Sequence, residues 1–276
     1  MVKKSSECLE ENDAQEVSRP MPFDDVGDLG DSIHLWTIPL DGPAARQAHD
    51  ARLLSTDEAA RAARFRFARD RRRFIAGRGA LRRILAHYLA AAPEALRFAY
   101  GAAGKPALAQ PQAGRPIQFN LSHCEHLGLL AVAHDRALGV DIERVRRASD
   151  LASLAQRFFA PQEAAALADI SPPHHERAFF ACWTRKEAFL NAFGAGLSVP
   201  LDGFCGSVDP DRPARLLATR WRPAEAGRWS LADIALDPDF RAAIAIEGPL
   251  GEVRSWHLSE KPEEGSARIA PPRDHP

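Results

Sequence analysis

Two carboxylates separated by one residue stand in the segment Gly139-Val-Asp-Ile-Glu143. Residues two apart on a β-strand point to the same face, so we expect Asp141 and Glu143 to project side by side. Such a pair repels itself unless a positive charge lies between the carboxylates. A hard cation such as Mg²⁺ takes oxygen ligands and keeps water for exchange with phosphate, so it suits this pair. A solvated strand face is the alternative for an isolated pair.

A third carboxylate lies in Phe180-Ala-Cys-Trp-Thr-Arg-Lys-Glu-Ala-Phe-Leu-Asn191, which has the composition of a largely buried helix. Trp183, Glu187 and Asn191 recur every four residues and therefore share one helical face. Lys186 and Glu187 are expected at the border of the apolar surface. A carboxylate placed there can serve as a metal ligand, as a general base or as both. A structural ion pair is the alternative interpretation.

The segment Phe119-Asn-Leu-Ser-His123 is predicted to end a strand and contains a hydroxyl beside an imidazole. Adjacent strand residues point to opposite faces, which disfavours a nucleophile–base pair made of Ser122 and His123. The Gly-x-Ser-x-Gly turn that presents a nucleophilic serine is also missing from this segment. Donors for a bound anion fit these residues better, with a satisfied turn histidine as the alternative.

Basic residues cluster in the first predicted helices, and one lysine stands in a tight loop, Gly104-Lys-Pro106. Arginine forks suit phosphate oxygens, and lysine acts there as a point charge. The sequence contains neither a Walker A motif nor Gly-x-Gly-x-x-Gly, so nucleotide binding of those two kinds is not indicated. Surface solubility explains most arginines in so Arg-rich a chain. The helical cluster comprises Arg61, Arg64 and residues 71–73.

Helices precede strands twice along the chain, which predicts an α+β fold of two similar subdomains related by a pseudo-twofold axis. Each subdomain is expected to pack its helices on a small, mostly antiparallel sheet. Ser55-Thr-Asp-Glu58 is a capping box that predicts a helix start, and Gly194 with Gly196 predicts a helix end. The first predicted helix is 55–67, and a second follows it, with apolar residues from Phe74 to Leu89 at helical spacing and its end marked by Pro93. The other predicted helices are 151–159, 161–168 and 174–193. The predicted strands are 33–40, 96–100, 117–121, 127–133, 137–142, 216–221, 229–235, 240–246 and 253–258.

The predicted subdomains occupy residues 33–145 and 146–258. Residues 1–32 and 259–276 are polar or rich in proline and charge, and both are predicted to be disordered tails. The similarity of the two halves rests on the order of their elements, because no residue-level repeat is visible.

The composition excludes several classes of protein. The chain has 276 residues, 45% hydrophobic residues and a net charge of -1, so a packed core is expected and a nucleic-acid coat is not. No apolar run approaches the roughly 20 residues that span a bilayer, and the polar N-terminus lacks a signal-peptide core. The four cysteines show no Cys-x-x-Cys spacing, so neither a zinc ribbon nor a disulfide framework is indicated. We expect a cytoplasmic monomer that binds neither nucleic acid nor membrane.

The order of the motifs is more specific than any one of them. From about residue 54 to 204 the chain closely resembles the 4′-phosphopantetheinyl transferases, in particular the larger, surfactin-synthetase-activating type that carries both halves in one chain. The motifs that carry this resemblance are Gly-Lys-Pro (104–106), Phe-Asn-Leu-Ser-His (119–123), Gly-Val-Asp-Ile-Glu (139–143), Arg-Phe-Phe (157–159), Trp-Thr-Arg-Lys-Glu-Ala-Phe-Leu (183–190), Gly-Ala-Gly-Leu (194–197) and Val-Pro-Leu-Asp (199–202).

The resemblance implies an enzyme that moves the phosphopantetheine arm of coenzyme A onto a serine of an acyl or peptidyl carrier protein, releasing 3′,5′-ADP. It implies Mg²⁺, with Mn²⁺ as an alternative, held by Asp141, Glu143 and Glu187. Glu187 would also accept the serine proton, and Lys186 would meet the leaving phosphate. The coenzyme A contacts that it implies are Arg61, Arg73, Lys105, Ser122, His123 and Lys186.

Two residues depart from the family pattern. Glu58 falls where the archetype has a phosphate-facing lysine, and Asn191 stands where the family very often has a lysine. Asn191 donates a hydrogen bond without a charge, so we expect activity that is reduced or retuned. The alternatives are a non-catalytic homologue that binds coenzyme A and carrier protein, and an unrelated Mg²⁺-dependent hydrolase.

Overall fold

The computed structural model contains two four-stranded sheets, each covered by a long helix, and two short two-stranded sheets. It describes residues 23, 26–101, 104–109, 114–148, 150–194, 199–258 and 268–269. The fold is α+β, as predicted. The helices are α1 Ala44–Leu53, α2 Thr56–Ala63, α3 Ala68–Leu89, α4 Leu151–Phe158, α5 Pro161–Ala168 and α6 Pro172–Phe193. The strands are β1 Ile33–Pro39, β2 Phe98–Tyr100, β3 Pro106–Leu108, β4 Ile117–Cys124, β5 Leu127–His134, β6 Leu138–Arg144, β7 Phe204–Gly206, β8 Leu216–Thr219, β9 Trp229–Ala235, β10 Phe240–Glu247, β11 Val253–His257 and β12 Arg268–Ile269.

The two sheets exchange strands between the halves of the chain. One sheet has the order β11-β1-β5-β4, and the other has the order β12-β9-β10-β6. β6 therefore pairs with the C-terminal strands, although it lies within the first predicted subdomain, 33–145. β11 pairs in parallel with β1, although it lies within the second, 146–258. These pairings join distant parts of the sequence, and the order of elements along the chain does not reveal them.

The ends of several elements differ from the predictions for local reasons. The predicted helix 55–67 ends at Ala63, and α3 begins at Ala68 after a short break. α1 follows Pro43 and has few apolar residues, so its sequence shows no clear helical period. The predicted strand 96–100 is present as β2, Phe98–Tyr100, whereas β3 and β7 are too brief to give an alternating pattern.

Part of the predicted N-terminal tail belongs to the core. Val26 and Leu29 are buried against the α3 side of the first sheet, and Phe23 packs on the ring of Trp36. The globular part therefore starts before residue 33, and isolated apolar residues gave no periodic signal for it. The rest of the two predicted tails lies largely outside the described residues.

The close packing of α6 on β6 determines the geometry of the site. A Cβ atom at Gly139 would lie 2.3 Å from both the Ala188 carbonyl oxygen and the Ala192 nitrogen, so only glycine permits this approach. α6 ends, as predicted, at Gly194, whose φ of 73° lies in the left-handed region. Among the helices that the structure describes, none is both long and apolar enough to cross a bilayer.

Candidate active site

The predicted site residues gather where the two sheets meet. β4 and β6 lie side by side in different sheets, and side chains of β4 contact β6. We call this junction the β4–β6 seam. Three hydrogen bonds join the strands, and later residues of β4 pair with later residues of β6, so the two strands run in the same direction. Asn120 Oδ1 accepts a hydrogen bond from the Val140 N–H (2.8 Å), Ser122 Oγ donates to Asp141 Oδ1 (2.9 Å), and Cys124 Sγ donates to Glu143 Oε2 (3.7 Å).

Asp141 is a buried carboxylate that forms no ion pair with any cationic side chain in the described part of the chain. Its exposed fraction is 9%, and among the described residues no hydrogen-bond donor reaches its Oδ2 atom. The pKa of Asp141 is raised to about 8, chiefly by burial and also by the charges of Glu143 and Glu187, while the bond from Ser122 opposes the shift. Such an arrangement disfavours the ionised form unless a cation binds.

Glu143 and Glu187 complete an acidic group that spans the strand and the helix. Burial raises the pKa of Glu187, and the charge of Glu143 adds to the effect. Burial likewise raises the pKa of Glu143, while the thiol of Cys124 and the charge of Arg146 oppose the shift. The mutual effects mean that these carboxylates lie within electrostatic range of one another. A carboxylate with a raised pKa is also a stronger general base.

The donor set fits Mg²⁺ in chemistry, although it is not a finished cage. Within the described part of the chain, no three His, Cys, Asp or Glu side chains already stand close enough together to hold a metal ion. Mg²⁺ usually keeps several waters and binds through one or two carboxylates plus substrate phosphates, so a closed protein cage is not required. The free Oδ2 atom of Asp141 is the oxygen best suited to a cation.

A positive region lies at the end of β4. Part of the His123 side chain is open to solvent, but protein atoms surround its imidazole ring. This crowding removes water from the ring and lowers its pKa. The charges of Arg61 and Arg73 lower that pKa further, so both guanidinium groups are near the ring. Arg73 donates two hydrogen bonds to Asp41 (2.9 and 2.7 Å), and the Arg61 guanidinium lies 5.4 Å from the ring of Phe74. These three predicted coenzyme A contacts are therefore neighbours, and they suit an anion.

The two predicted lysines are engaged away from this region. Lys186 is 1% exposed, and its Nζ atom donates to both oxygens of Glu163 (2.8 and 2.6 Å) and to the Phe204 carbonyl (2.7 Å). Position 186 lies a 100° step around the helix from position 187, so its side chain points toward α5 instead of the seam. Lys105 Nζ donates to the backbone carbonyls of Leu138 (2.8 Å) and Asn191 (2.7 Å). The structure thus gives both ammonium groups protein partners instead of an open anion site.

The two departures from the family pattern have structural partners. Glu58 is 1% exposed and binds Arg78 and Arg82 between α2 and α3. Asn191 Nδ2 donates to the Val140 carbonyl (3.0 Å) and so joins α6 to β6.

Sequence reasoning missed two residues of the seam, Asn120 and Cys124. A buried asparagine inside a strand is uncommon, because asparagine is depleted in strands and needs hydrogen-bond partners when buried. That feature was the available signal for Asn120. Cys124 carried no comparable signal.

The fold and the site together define a two-sheet α+β protein with uncompensated carboxylates beside a cationic region. Two family models match this chain. The model for the 4′-phosphopantetheinyl transferase superfamily covers residues 137–245, and that for the N-terminal part of 4′-phosphopantetheinyl transferase covers residues 43–135.

Whole-chain relatives agree with these matches. The chain is 42% identical to "4'-phosphopantetheinyl transferase HetI" of Nostoc sp., over 83% of this chain and 93% of that protein. It is 37% identical to a putative 4′-phosphopantetheinyl transferase of Synechocystis sp. (81% and 91%) and 32% identical to the 4′-phosphopantetheinyl transferase psf-1 of Bacillus pumilus (76% and 87%). The chain belongs to the 4′-phosphopantetheinyl transferase superfamily and is an enzyme of that type.

Proposed function

We propose that this enzyme transfers the 4′-phosphopantetheine moiety of coenzyme A to a serine of an acyl or peptidyl carrier protein, with Mg²⁺, and releases 3′,5′-ADP. The observation that carries the proposal is the uncompensated acidic group at the β4–β6 seam, in which the Asp141 Oδ2 atom has no donor among the described residues. In its ionised form such a group favours a bound cation, and the neighbouring Arg61, Arg73 and His123 suit the phosphates that would accompany it.

Asp141, Glu143 and Glu187 would hold the metal ion, with Mn²⁺ as an alternative. When bound, the ion neutralises negative charge on the pyrophosphate and on the departing oxygen. Phosphoryl transfer depends mainly on positioning and charge stabilisation, so the protein supplies little covalent chemistry.

The residues of the chain supply the remaining steps. Glu187 accepts the proton of the carrier serine, directly or through one water, and its raised pKa makes it a suitable base. The serine oxygen then forms a bond to the phosphorus that carries the pantetheine arm, and the bond from that phosphorus to 3′,5′-ADP breaks. Arg61, Arg73 and His123 orient the nucleotide phosphates. Lys105 and Lys186 have no contact with the phosphates in this proposal, because their ammonium groups are already bound.

The oligomeric state and the cellular compartment of the enzyme belong to the same proposal. Both strands of the seam belong to one chain, which supports a monomer as the active unit. Among the described residues, Cys124, Cys182 and Cys205 are free thiols, which is consistent with a reducing cytoplasm.

The test is the intact mass of an apo carrier protein after incubation with the enzyme, coenzyme A and Mg²⁺. We expect a gain of about 340 Da that is lost with EDTA and in Glu187→Gln, because both remove the metal-assisted step. Glu176→Gln is the matched control on α6 and is expected to keep the activity. Coenzyme A binding without a mass gain on several carriers would instead indicate the non-catalytic homologue, and release of the arm to water would indicate the hydrolase.

A further inference from the structure

Two side chains form hydrogen bonds with the backbone of Val140, the residue immediately before Asp141 on β6. The Val140 N–H donates to Asn120 Oδ1 on β4 (2.8 Å), and the Val140 carbonyl accepts from Asn191 Nδ2 on α6 (3.0 Å). Among the strands that the structure describes, β6 is the last of its sheet, and none of them pairs with it on this side. Two asparagines therefore take the place of a paired strand.

Asn191 also links the helix to the strand through its backbone. Its carbonyl oxygen, in the last turn of α6, accepts a hydrogen bond from Lys105 Nζ (2.7 Å), and the same ammonium group binds the Leu138 carbonyl (2.8 Å). A cation at the carboxyl end of a helix satisfies carbonyls that have no helical partner. The last turn of α6 is thus bonded to β6 through residues 138 and 140.

These bonds join the two elements that carry the acidic group. Asn191 lies one turn beyond Glu187 on α6, and Val140 precedes Asp141 on β6. The contact at Gly139 allows the helix backbone to approach closely, and the Asn191 bonds fix where along the strand it rests. A small slip of α6 along β6 would move Glu187 relative to both strand carboxylates.

We propose that Asn191 is a positioning residue that holds Glu187 in register with Asp141 and Glu143, and that it does not substitute for a phosphate-binding lysine. This inference rests on the proposed function. It replaces the sequence-based expectation that Asn191 marks the loss of a useful cation. One N–H of the Asn191 amide is committed to the Val140 carbonyl, which directs the side chain toward β6.

A lysine at this position would not reproduce the bond. The side chain is longer and more flexible, so its ammonium group would not fix the helix on the strand as the short amide does. The new ammonium group would also start from the residue whose carbonyl already binds Lys105, so two like charges would compete there.

The experiment compares Asn191→Ala and Asn191→Lys with the wild type, and uses His174→Ala, an exposed position on α6, as the control. Three quantities are measured: kcat and KM in the carrier assay, the coenzyme A dissociation constant by calorimetry, and amide hydrogen exchange over residues 138–143. Asn191→Ser is the reserve variant if Asn191→Ala does not fold.

We expect Asn191→Ala to lower kcat about tenfold, since small displacements of reacting groups have effects of at least this size. The coenzyme A dissociation constant is expected to stay within about twofold, because no contact with the ligand is removed, and exchange over 138–143 is expected to rise. Asn191→Lys is expected to lower kcat at least as much. The control is expected to match the wild type in all three quantities.

Three results would overturn the inference. If Asn191→Lys raises kcat or tightens coenzyme A binding, the position belongs to the phosphate site. If Asn191→Ala lowers the melting temperature but leaves kcat unchanged, the residue is only a structural anchor. A wild type without transfer activity would count against the proposed function, whereas unchanged exchange over 138–143 in Asn191→Ala would count against the inference by itself.

Discussion

Two buried carboxylates in this molecule show opposite electrostatic environments. Glu58, between α2 and α3, is 1% exposed and accepts hydrogen bonds from Arg78 Nε (2.8 Å) and Arg82 Nε (2.7 Å). Burial by itself would raise the pKa of Glu58, but the two guanidinium groups hold it below its ordinary value. Asp141, at the seam, is 9% exposed and has one hydroxyl donor, and its pKa rises to about 8.

The difference shows that burial alone does not mark a functional carboxylate. A buried charge that the protein neutralises itself contributes to the structure, as Glu58 does, and Glu163 follows the same pattern with Lys186. A buried charge that the protein leaves uncompensated requires something from outside. In this chain that condition is met at the acidic group of the seam, where the proposed chemistry needs a cation.

Removing the compensated carboxylate should have the largest energetic effect. Glu58→Gln leaves Arg78 and Arg82 buried without their counter-charge, and breaking a buried pair in this way costs about 3–5 kcal/mol. We expect the free energy of unfolding, measured by urea denaturation, to fall by that amount. The folded fraction is expected to keep the kcat of the wild type, with Glu176→Gln as the matched control. A large loss of kcat in the folded fraction would show that Glu58 also serves the site.

Removing the uncompensated carboxylate should have the opposite pattern. Asp141→Asn is expected to lower kcat about a hundredfold, which corresponds to about 2.7 kcal/mol of transition-state stabilisation. Its unfolding free energy at pH 7 without metal should not fall and should rise by about 1 kcal/mol or more, because Asp141 must take up a proton or bury a charge on folding at this pH and asparagine needs neither. Kinetics and urea denaturation of the same preparation check both parts. A variant that is both inactive and less stable would contradict the comparison.

The pH dependence of stability sharpens the comparison further. The pKa of Asp141 is raised from 3.8 to about 8 in the folded protein, so the protonated form is favoured by folding. The stability linked to this group is therefore fully present below about pH 4 and is lost as the pH rises through about 8. Without metal, the unfolding free energy of the wild type should fall relative to Asp141→Asn across this range. If the unfolding free energies of the two proteins change with pH in the same way, the pKa of Asp141 is not raised by folding.

Much of the site could be predicted because its elements are long and locally encoded. Period-two alternation placed Asp141 and Glu143 on one face of a strand, and the four-residue recurrence placed Glu187 and Asn191 on one face of α6. The left-handed glycine at 194 marked the end of that helix. These features depend on neighbours in the sequence, and the structure has the same elements there.

The remaining features depend on contacts between distant segments. Whether Lys186 faces the seam or α5 is decided by Glu163, which is 23 residues away. Lys105 finds its partners in β6 and α6, and β6 pairs with β10 instead of the strands that precede it. No local pattern contains this information, so the resemblance and, for Lys105, the tight Gly-Lys-Pro loop predicted phosphate contacts without revealing these partners.

The smallest expected effect concerns an ion pair at the edge of the cationic region. Asp41, whose side chain is 55% exposed, binds Arg73, so solvent weakens the interaction and Asp41→Asn should change the unfolding free energy by less than about 1 kcal/mol. The loss of the carboxylate leaves the Arg73 charge unscreened near His123, so the pKa of that histidine, already lowered by burial, Arg61 and Arg73, should fall further. An NMR titration of His123 measures this directly. A rise in the pKa of His123 would mean that Arg73 turns away once Asp41 is gone, and that the ion pair, like Glu58 with its arginines, positions the cation in addition to neutralising it.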